Sequence, residues 1–304
     1  TAYLKTLNEV NLSKVRGDGR TVESALTAEE TTDYRSHACG IAWVGVTSPL
    51  AQCVGSLYQT YLPHPTIGQA RMLNNCLRQL RETYTPLVFR RCLFRGGKKL
   101  RLLMVSDSSL ANRLGKYAQG GALVFLCEDT GEELSGPTLL FWYSSRKSRR
   151  VGTSSKHCET LAMTVGVERS TMIQSVYYEL EHKVTHAREL IDLNNNSLLP
   201  LDVATDAEDL YATLIKPAVG QEENATLPIY IAALRQDRDE GRIRNLYWFP
   251  TAEMPANELT KHNADGTLPI GKLQEDHTQR WRVTDCWRRC AVHIQTEREL
   301  ELAH

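Results

Sequence analysis

Three acidic residues stand where a folded chain could bring them together. Asp107 ends the run Leu-Leu-Met-Val-Ser-Asp107, Asp206 ends Val-Ala-Thr205-Asp206, and Glu159 falls in the first turns of a long helical pattern. A carboxylate just past a strand is pinned by that strand and solvated at its tip, and neighbouring strand ends converge in space. Three such groups suit Mg²⁺, a hard cation that takes oxygen ligands, keeps several waters and is often held by one or two carboxylates plus substrate phosphate. Two metals a few ångströms apart would clamp the attacking water and the leaving oxygen of an in-line phosphodiester displacement. The same positions also serve local needs, Asp206 as a helix cap and Glu159 as a first-turn acid, and spacing alone favours that use.

Other groups are weaker candidates. His182 and His186 share a helix face without a third ligand, and Cys286, Cys290 and His293 share one without a fourth, so surface histidines and a buried thiol stripe are the simpler readings. Asn194-Asn195-Asn196-Ser197 carries the Asn-x-Ser pattern and reads as a loop. The pairs Gly96-Gly97 and Gly120-Gly121 lack the flanks of a phosphate-binding loop and read as turns.

The elements that must position the acids follow from periodicity. Residues 1–20 are polar and carry no firm assignment. Thr27 with Glu30 forms a capping box, followed by helical spacing of Tyr34, Ala38, Ile41 and Ala42 as far as Pro49. A second helix reads over 50–62, broken by Pro63-His64-Pro65, and a third over 67–84 with Ala70, Leu73, Leu77 and Leu80 on one face. The pattern then changes to apolar strands at 100–106, 122–128 and 139–144 with hairpin-length connections, an antiparallel meander. A helix over 156–183 follows, with Leu161, Val165, Met172, Val176 and Leu180 as its apolar face. A strand at 201–205, helices at 207–214 and 228–240, a strand at 244–249 and a helix from Pro255 complete the order. Trp142 and Tyr143 alternate in a strand and read as core, or as one core and one stacking residue.

Several of these segments resemble one family. Val-Ser-Asp107-Ser-Ser-Leu-Ala-Asn112-Arg113, Gln119-Gly120-Gly121-Ala122, Trp142-Tyr-Ser-Ser-Arg146-Lys147-Ser-Arg149-Arg150 and Ser154-Ser155-Lys-His-Cys-Glu159 resemble, in order, the ribonuclease H region of copia-type LTR-retrotransposon Pol polyproteins. Thr205-Asp206-Ala-Glu-Asp-Leu-Tyr and Trp248-Phe-Pro-Thr-Ala-Glu-Met-Pro-Ala-Asn257-Glu-Leu-Thr-Lys261 continue the match, and the helical first third looks like the connection that precedes that region. The resemblance covers residues 25–262, and ordered blocks rather than any single motif carry it.

The resemblance implies an α/β, ribonuclease H-like fold: a mixed five-stranded sheet flanked by helices and preceded by a helical connection subdomain. It implies a helical connection over 1–95, a ribonuclease H-like domain over 96–265 and a helical tail over 266–304. The implied activity is cleavage of the RNA strand of an RNA·DNA hybrid with two Mg²⁺ ions, or Mn²⁺ in their place. Asp107 would be the carboxylate bridging both metals, Glu159 and Asp206 the second and third acids, and Asn257 the fourth catalytic position. The family's pattern has Asp there. Asn offers one carbonyl oxygen and no charge, which weakens a second cation site beside a phosphate. Glu258 faces elsewhere on a helix. Arg146, Lys147, Arg149 and Arg150 would contact the hybrid's phosphates, as would the bases of 90–101.

Composition bounds the rest. The 304 residues are 41% hydrophobic and 24% charged, which excludes disordered and collagen-like chains and permits one large domain or two modest ones. The 36 Lys and Arg balance 36 Asp and Glu, so bulk charge does not hold a nucleic acid and local clusters must. The eight scattered cysteines without Cys-x-x-Cys suit an intracellular, reducing compartment, cytoplasm or nucleus. No apolar run reaches the length of a membrane span. The start at Thr1 suggests a fragment or a processed product, with the remainder of the reverse transcriptase polyprotein as its partner. The alternative is a degenerate or domesticated copy that serves as a non-catalytic scaffold subunit of a larger complex; Asn257 and the zero net charge point that way.

Overall fold

The structure is a computed structural model, and it describes residues 2–13, 19–84, 87, 97, 99–110, 117–131, 136–183, 198–216, 226–269, 280–281 and 288–291. The unassigned start contains a short helix, α1 (Ala2–Thr6). Helix α2 (Ala28–Val44) opens on the expected capping box, the Thr27 hydroxyl accepting from Glu30 N while the Glu30 carboxylate accepts from Thr27 N. Ser48 caps α3 (Pro49–Gln59), and Thr66 with Gln69 makes a second capping box for α4 (Ile67–Thr83).

The meander is present as β1 (Leu100–Ser109), β2 (Gln119–Glu128) and β3 (Gly136–Lys147), paired antiparallel in sequence order. Helix α5 (Ser155–His182) carries the chain across to β4 (Leu201–Thr205), parallel to β1. Helices α6 (Glu208–Ile215) and α7 (Leu227–Asp239) lead to β5 (Ile243–Trp248), parallel to β4. The mixed five-stranded sheet flanked by helices, with a helical region before it, is therefore the centre of the molecule. Two short strands, β6 (Arg280–Trp281) and β7 (Arg288–Ala291), extend it on either side to the order β6-β3-β2-β1-β4-β5-β7.

Both faces of the sheet are covered, which is why β1 is apolar without alternation. Leu102 and Met104 point to a core completed by Met163, Val167, Leu210, Ile231 and Leu246. Leu103 and Val105 point the other way, to a core shared with Tyr34, Ile41, Leu57, Leu73 and Leu77 of the helical region. The first third thus packs on the sheet rather than standing apart from it. Tyr143 reaches across this contact, its hydroxyl donating to Gly45 O at 2.9 Å, while Trp142 packs on the opposite core.

Four expectations need correction. The apolar face read for α5 is its outer one: Val165, Met172, Val176 and Leu180 are exposed, Leu180 to 75%. The buried side carries Cys158, Glu159, Ala162, Met163, Gly166, Ser170 and Gln174 instead. Small residues win there because the helix lies close on β1; a Cβ on Gly166 would sit 2.5 Å from Met104 Sδ. Two buried polar donors find backbone acceptors, the Ser170 hydroxyl on Gly166 O and the Gln174 Nε2 on Leu199 O.

The helix expected from Pro255 is a short 3₁₀ turn, Pro255–Leu259, following another at Thr251–Glu253. Its Asn257 carbonyl accepts from Thr260 N at three-residue spacing, the tighter bond that a brief segment pressed on a sheet can make. The tail read as helical contributes β6 and β7 among its described residues, because the open edges of β3 and β5 offer them ladder partners. Cys290 therefore lies in a strand, while Cys286 and His293 lie outside the described residues, as do His186 and Asn194 to Ser197. Gly120 and Gly121 are not a turn; they belong to β2 and pair with Ser108 and Asp107.

Candidate metal centre

Asp107 lies inside β1 rather than past its end. Pairing with β4 stops at Val105, opposite Ala204, but pairing with β2 continues to Ser109 and holds Asp107 opposite Gly121. The sheet thus opens on one side of Asp107, and Asp206 enters from the first position beyond β4. Asp206 does not cap the next helix: the N-cap of α6 is Ala207, with no side-chain cap bond, and the Thr205 hydroxyl accepts from Ala207 N instead. The Asp206 carbonyl is fixed by the Trp248 indole N–H at 3.0 Å. Glu159 is buried on the inner face of α5, and its Oε1 accepts from Ser108 N at 3.1 Å.

The three carboxylates converge. Ligand oxygens of Asp107, Glu159 and Asp206 all lie within 4.8 Å of one another. Glu159 Oε2 is buried without a hydrogen-bond partner, although a carboxylate oxygen has two lone pairs to satisfy. An all-oxygen cluster of like groups, two of them buried and Asp206 half-buried, with an orphaned oxygen fits a hard divalent cation such as Mg²⁺. Burial, then the charges of Asp107 and Asp206, pushes the Glu159 carboxyl up to about 9, and burial raises Asp107 as well.

The sign of this shift gives an expected result. A bound cation needs ionised carboxylates, so loading must expel the proton Glu159 holds at neutral pH. Mn²⁺ affinity is expected to rise by about tenfold per pH unit between pH 7 and 9, the cost of removing one proton below its pKa. Calorimetry in buffers of different ionisation enthalpy should count about one proton released; a flat affinity across that window would contradict the placement of Glu159 in the site. Without metal, stability contributed by protonated Glu159 is present at low pH and is lost as pH rises through about 9.

The fourth position behaves differently. Asn257 stands on the 3₁₀ turn, its Nδ2 donating to Thr251 O at 2.8 Å and its Oδ1 taken by the Lys261 ammonium. The carbonyl oxygen expected to face a metal is thus engaged by a cation of the chain itself. Glu258 is buried. The residue of this turn that reaches the centre is one that spacing did not single out: the Thr260 hydroxyl donates to Asp107 Oδ2.

Gly121 makes that contact possible. A Cβ there would lie 2.9 Å from Leu259 Cβ and from Thr260 Cγ2, so only glycine lets the turn press on β2 opposite Asp107. The Leu259 carbonyl is held in turn by the Ser145 hydroxyl at 2.6 Å and the Cys53 thiol at 3.2 Å, tying the turn to β3 and α3. Gly121→Ala is expected to lift Thr260 off Asp107 and weaken Mn²⁺ binding by about 10- to 100-fold, as loss of an outer-shell partner does. Isothermal titration checks this; unchanged affinity would mean that Thr260 does not orient Asp107.

The basic residues divide. Arg146, Lys147, Arg149 and Arg150 line a groove of about 390 Å³ together with Ser108 and Gly121, the chain neighbour and the cross-strand partner of Asp107. Lys147 lies over the Tyr117 ring at 4.1 Å and Arg150 over Tyr230 at 5.4 Å, which holds their charges at the rim. Arg101, by contrast, is buried and paired with Asp202 at 3.3 Å and Asp129 at 3.7 Å, and so does not face a phosphate. Arg90, Arg91, Arg95 and Lys98 lie outside the described residues.

The five central strands run in the order β3-β2-β1-β4-β5, and the three acids meet where β1 and β4 part at one end of this sheet. No family model matches the sequence, and no curated protein matches it. Among solved structures, the chain is similar to LC11-RNase H1 in complex with an RNA/DNA hybrid, at 14% identity and a TM-score of 0.34, covering 53% of this chain and 94% of that one. A second structure of LC11-RNase H1, isolated from compost, is similar at 15% identity and a TM-score of 0.33, covering 53% and 92%. Among the described residues, no helix is long and apolar enough to cross a membrane.

Proposed function

We propose that this chain hydrolyses the RNA strand of RNA·DNA hybrids in a Mg²⁺-dependent reaction, as the C-terminal part of a copia-type retrotransposon reverse transcriptase polyprotein. The observation that carries the reading is the meeting of Asp107, Glu159 and Asp206 within 4.8 Å, from β1, α5 and β4. These three would hold the metal, and Mg²⁺ when bound supplies a Lewis acid and a nucleophilic water. Asp107 is kept in place by Thr260, and Glu159 by the Ser108 amide. Arg146, Lys147, Arg149 and Arg150 would bind phosphates along the groove they line. The 2′-hydroxyl in the wide minor groove of an A-like duplex marks the RNA strand.

One observation favours the scaffold reading: Asn257 supplies no charge and its oxygen is already engaged. An end-labelled hybrid and the matching DNA duplex separate the two. The native chain is expected to cleave only the RNA strand of the hybrid, and only with Mg²⁺ or Mn²⁺. A folded chain that cleaves neither substrate would leave a ribonuclease H-like scaffold within a larger assembly.

A further inference from the structure

The place beside Asn257 holds a positive charge that belongs to the chain. Lys261 follows Asn257 by four residues across the end of the 3₁₀ turn, and its ammonium donates to Asn257 Oδ1. Between them in sequence stands Thr260, whose hydroxyl is bound to Asp107 Oδ2. The same turn is locked to β2 by the close approach at Gly121 and to β3 and α3 through the Leu259 carbonyl, so the Lys261 stem leaves a fixed point next to the acids.

We propose that Lys261 takes the place of the second cation, so that the native chain carries one resident divalent ion rather than two. This rests on reading Asp107, Glu159 and Asp206 as a metal centre. Two facts make the substitution coherent. Asn257 offers none of the negative charge that a second dication needs, and an ammonium already bonded to its one side-chain oxygen repels another cation from it. The Glu159 Oε2 that lacks a partner is the open ligand of the first site, and Lys261 is not bonded to it. Lys261 is therefore a positioning and charge-balancing residue for Asp107. It contributes a fixed charge where a mobile ion would otherwise have to be recruited.

Counting bound ions tests this directly, by Mn²⁺ titration followed by electron paramagnetic resonance and calorimetry, on the full chain without nucleic acid. The native chain is expected to bind one Mn²⁺. Asn257→Asp alone is expected to stay at one, because the new carboxylate pairs with Lys261. Lys261→Met is expected to tighten the first ion by about tenfold, the scale of one nearby like charge removed. The double variant Asn257→Asp/Lys261→Met is expected to bind two ions, and dipolar broadening of the Mn²⁺ signal should report their proximity. Circular dichroism confirms that each variant is folded. Two ions on the native chain, or a Lys261→Met chain with unchanged affinity and a double variant still at one, would overturn the proposal while leaving the metal centre intact. No Mn²⁺ bound to any folded variant would overturn the metal centre as well.

Discussion

Asp107→Asn is expected to lose Mg²⁺-dependent cleavage of a labelled RNA·DNA hybrid by at least about 10³-fold, since a metal's stabilisation of transition-state charge is worth several kcal/mol. The substitution is nearly isosteric, and the amide oxygen can still accept from the Thr260 hydroxyl, so the local fold has no reason to move. Burial already raises the Asp107 carboxyl and disfavours its charge. A neutral amide removes that conflict, and the melting temperature is expected to stay level or to rise while activity disappears. Paired measurements of cleavage rate and thermal unfolding separate these effects. A variant retaining activity within tenfold of the native chain would show that the reaction does not run through the acid centre, whatever its stability.

Asp202→Asn is expected to do the opposite, destabilising the fold by about 3–5 kcal/mol, the cost of stranding a buried charge by removing its partner. Asp202 lies in the middle of the sheet, fully buried, and binds Arg101, Arg244 and the Asn245 amide together. Asp129 completes the group through Arg244 at 2.8 Å. Two guanidiniums thus meet two carboxylates where β1, β4 and β5 run side by side, and the neutral amide would leave a net positive charge inside. Urea denaturation reads the loss as a fall in midpoint without a change in slope. A loss below about 1 kcal/mol would place the network among ion pairs that contribute little. The two acids therefore differ in what surrounds them. Asp202 is matched by cations of the chain, whereas Asp107, Glu159 and Asp206 face one another as like charges.

Much of this was legible in residue types, and the exceptions share a cause. The strand 201–205 was bounded to the residue, and the helix start at Thr27 was readable because a cap is a local device. Asp107, Glu159 and Asp206 were readable in their order along the chain and brought together by strand adjacency. What failed depended on contacts distant in sequence. Both faces of α5 carry large apolar residues, Val165, Met172, Val176 and Leu180 outside and Met163 and Val167 inside, so periodicity selected the wrong side; Gly166 meeting Met104 decides the matter. Gly120-Gly121 looked like a turn because their reason, the turn at 255–259 arriving from far along the chain, leaves no local signal. Thr260 and Lys261 were visible as part of a sequence block, but their hydrogen bonds to Asp107 and Asn257 belong to the folded chain alone.

The sharing of one core by the first helices and the sheet has a consequence for how the chain is made. Tyr34, Ile41, Leu57 and Leu77 emerge during synthesis well before Leu123, Ala204 and Tyr247, the residues that bury them. Even Leu268 belongs to that core. The helical layer must therefore wait, partly uncovered, until the last central strand has left the ribosome, and the parallel β1–β4 pairing closes only over nearly a hundred intervening residues. Such non-local closure is slow and leaves apolar surface open to association in the interval. Nascent chains halted before residue 243 should accordingly bind holdase chaperones, and release should coincide with the arrival of β5.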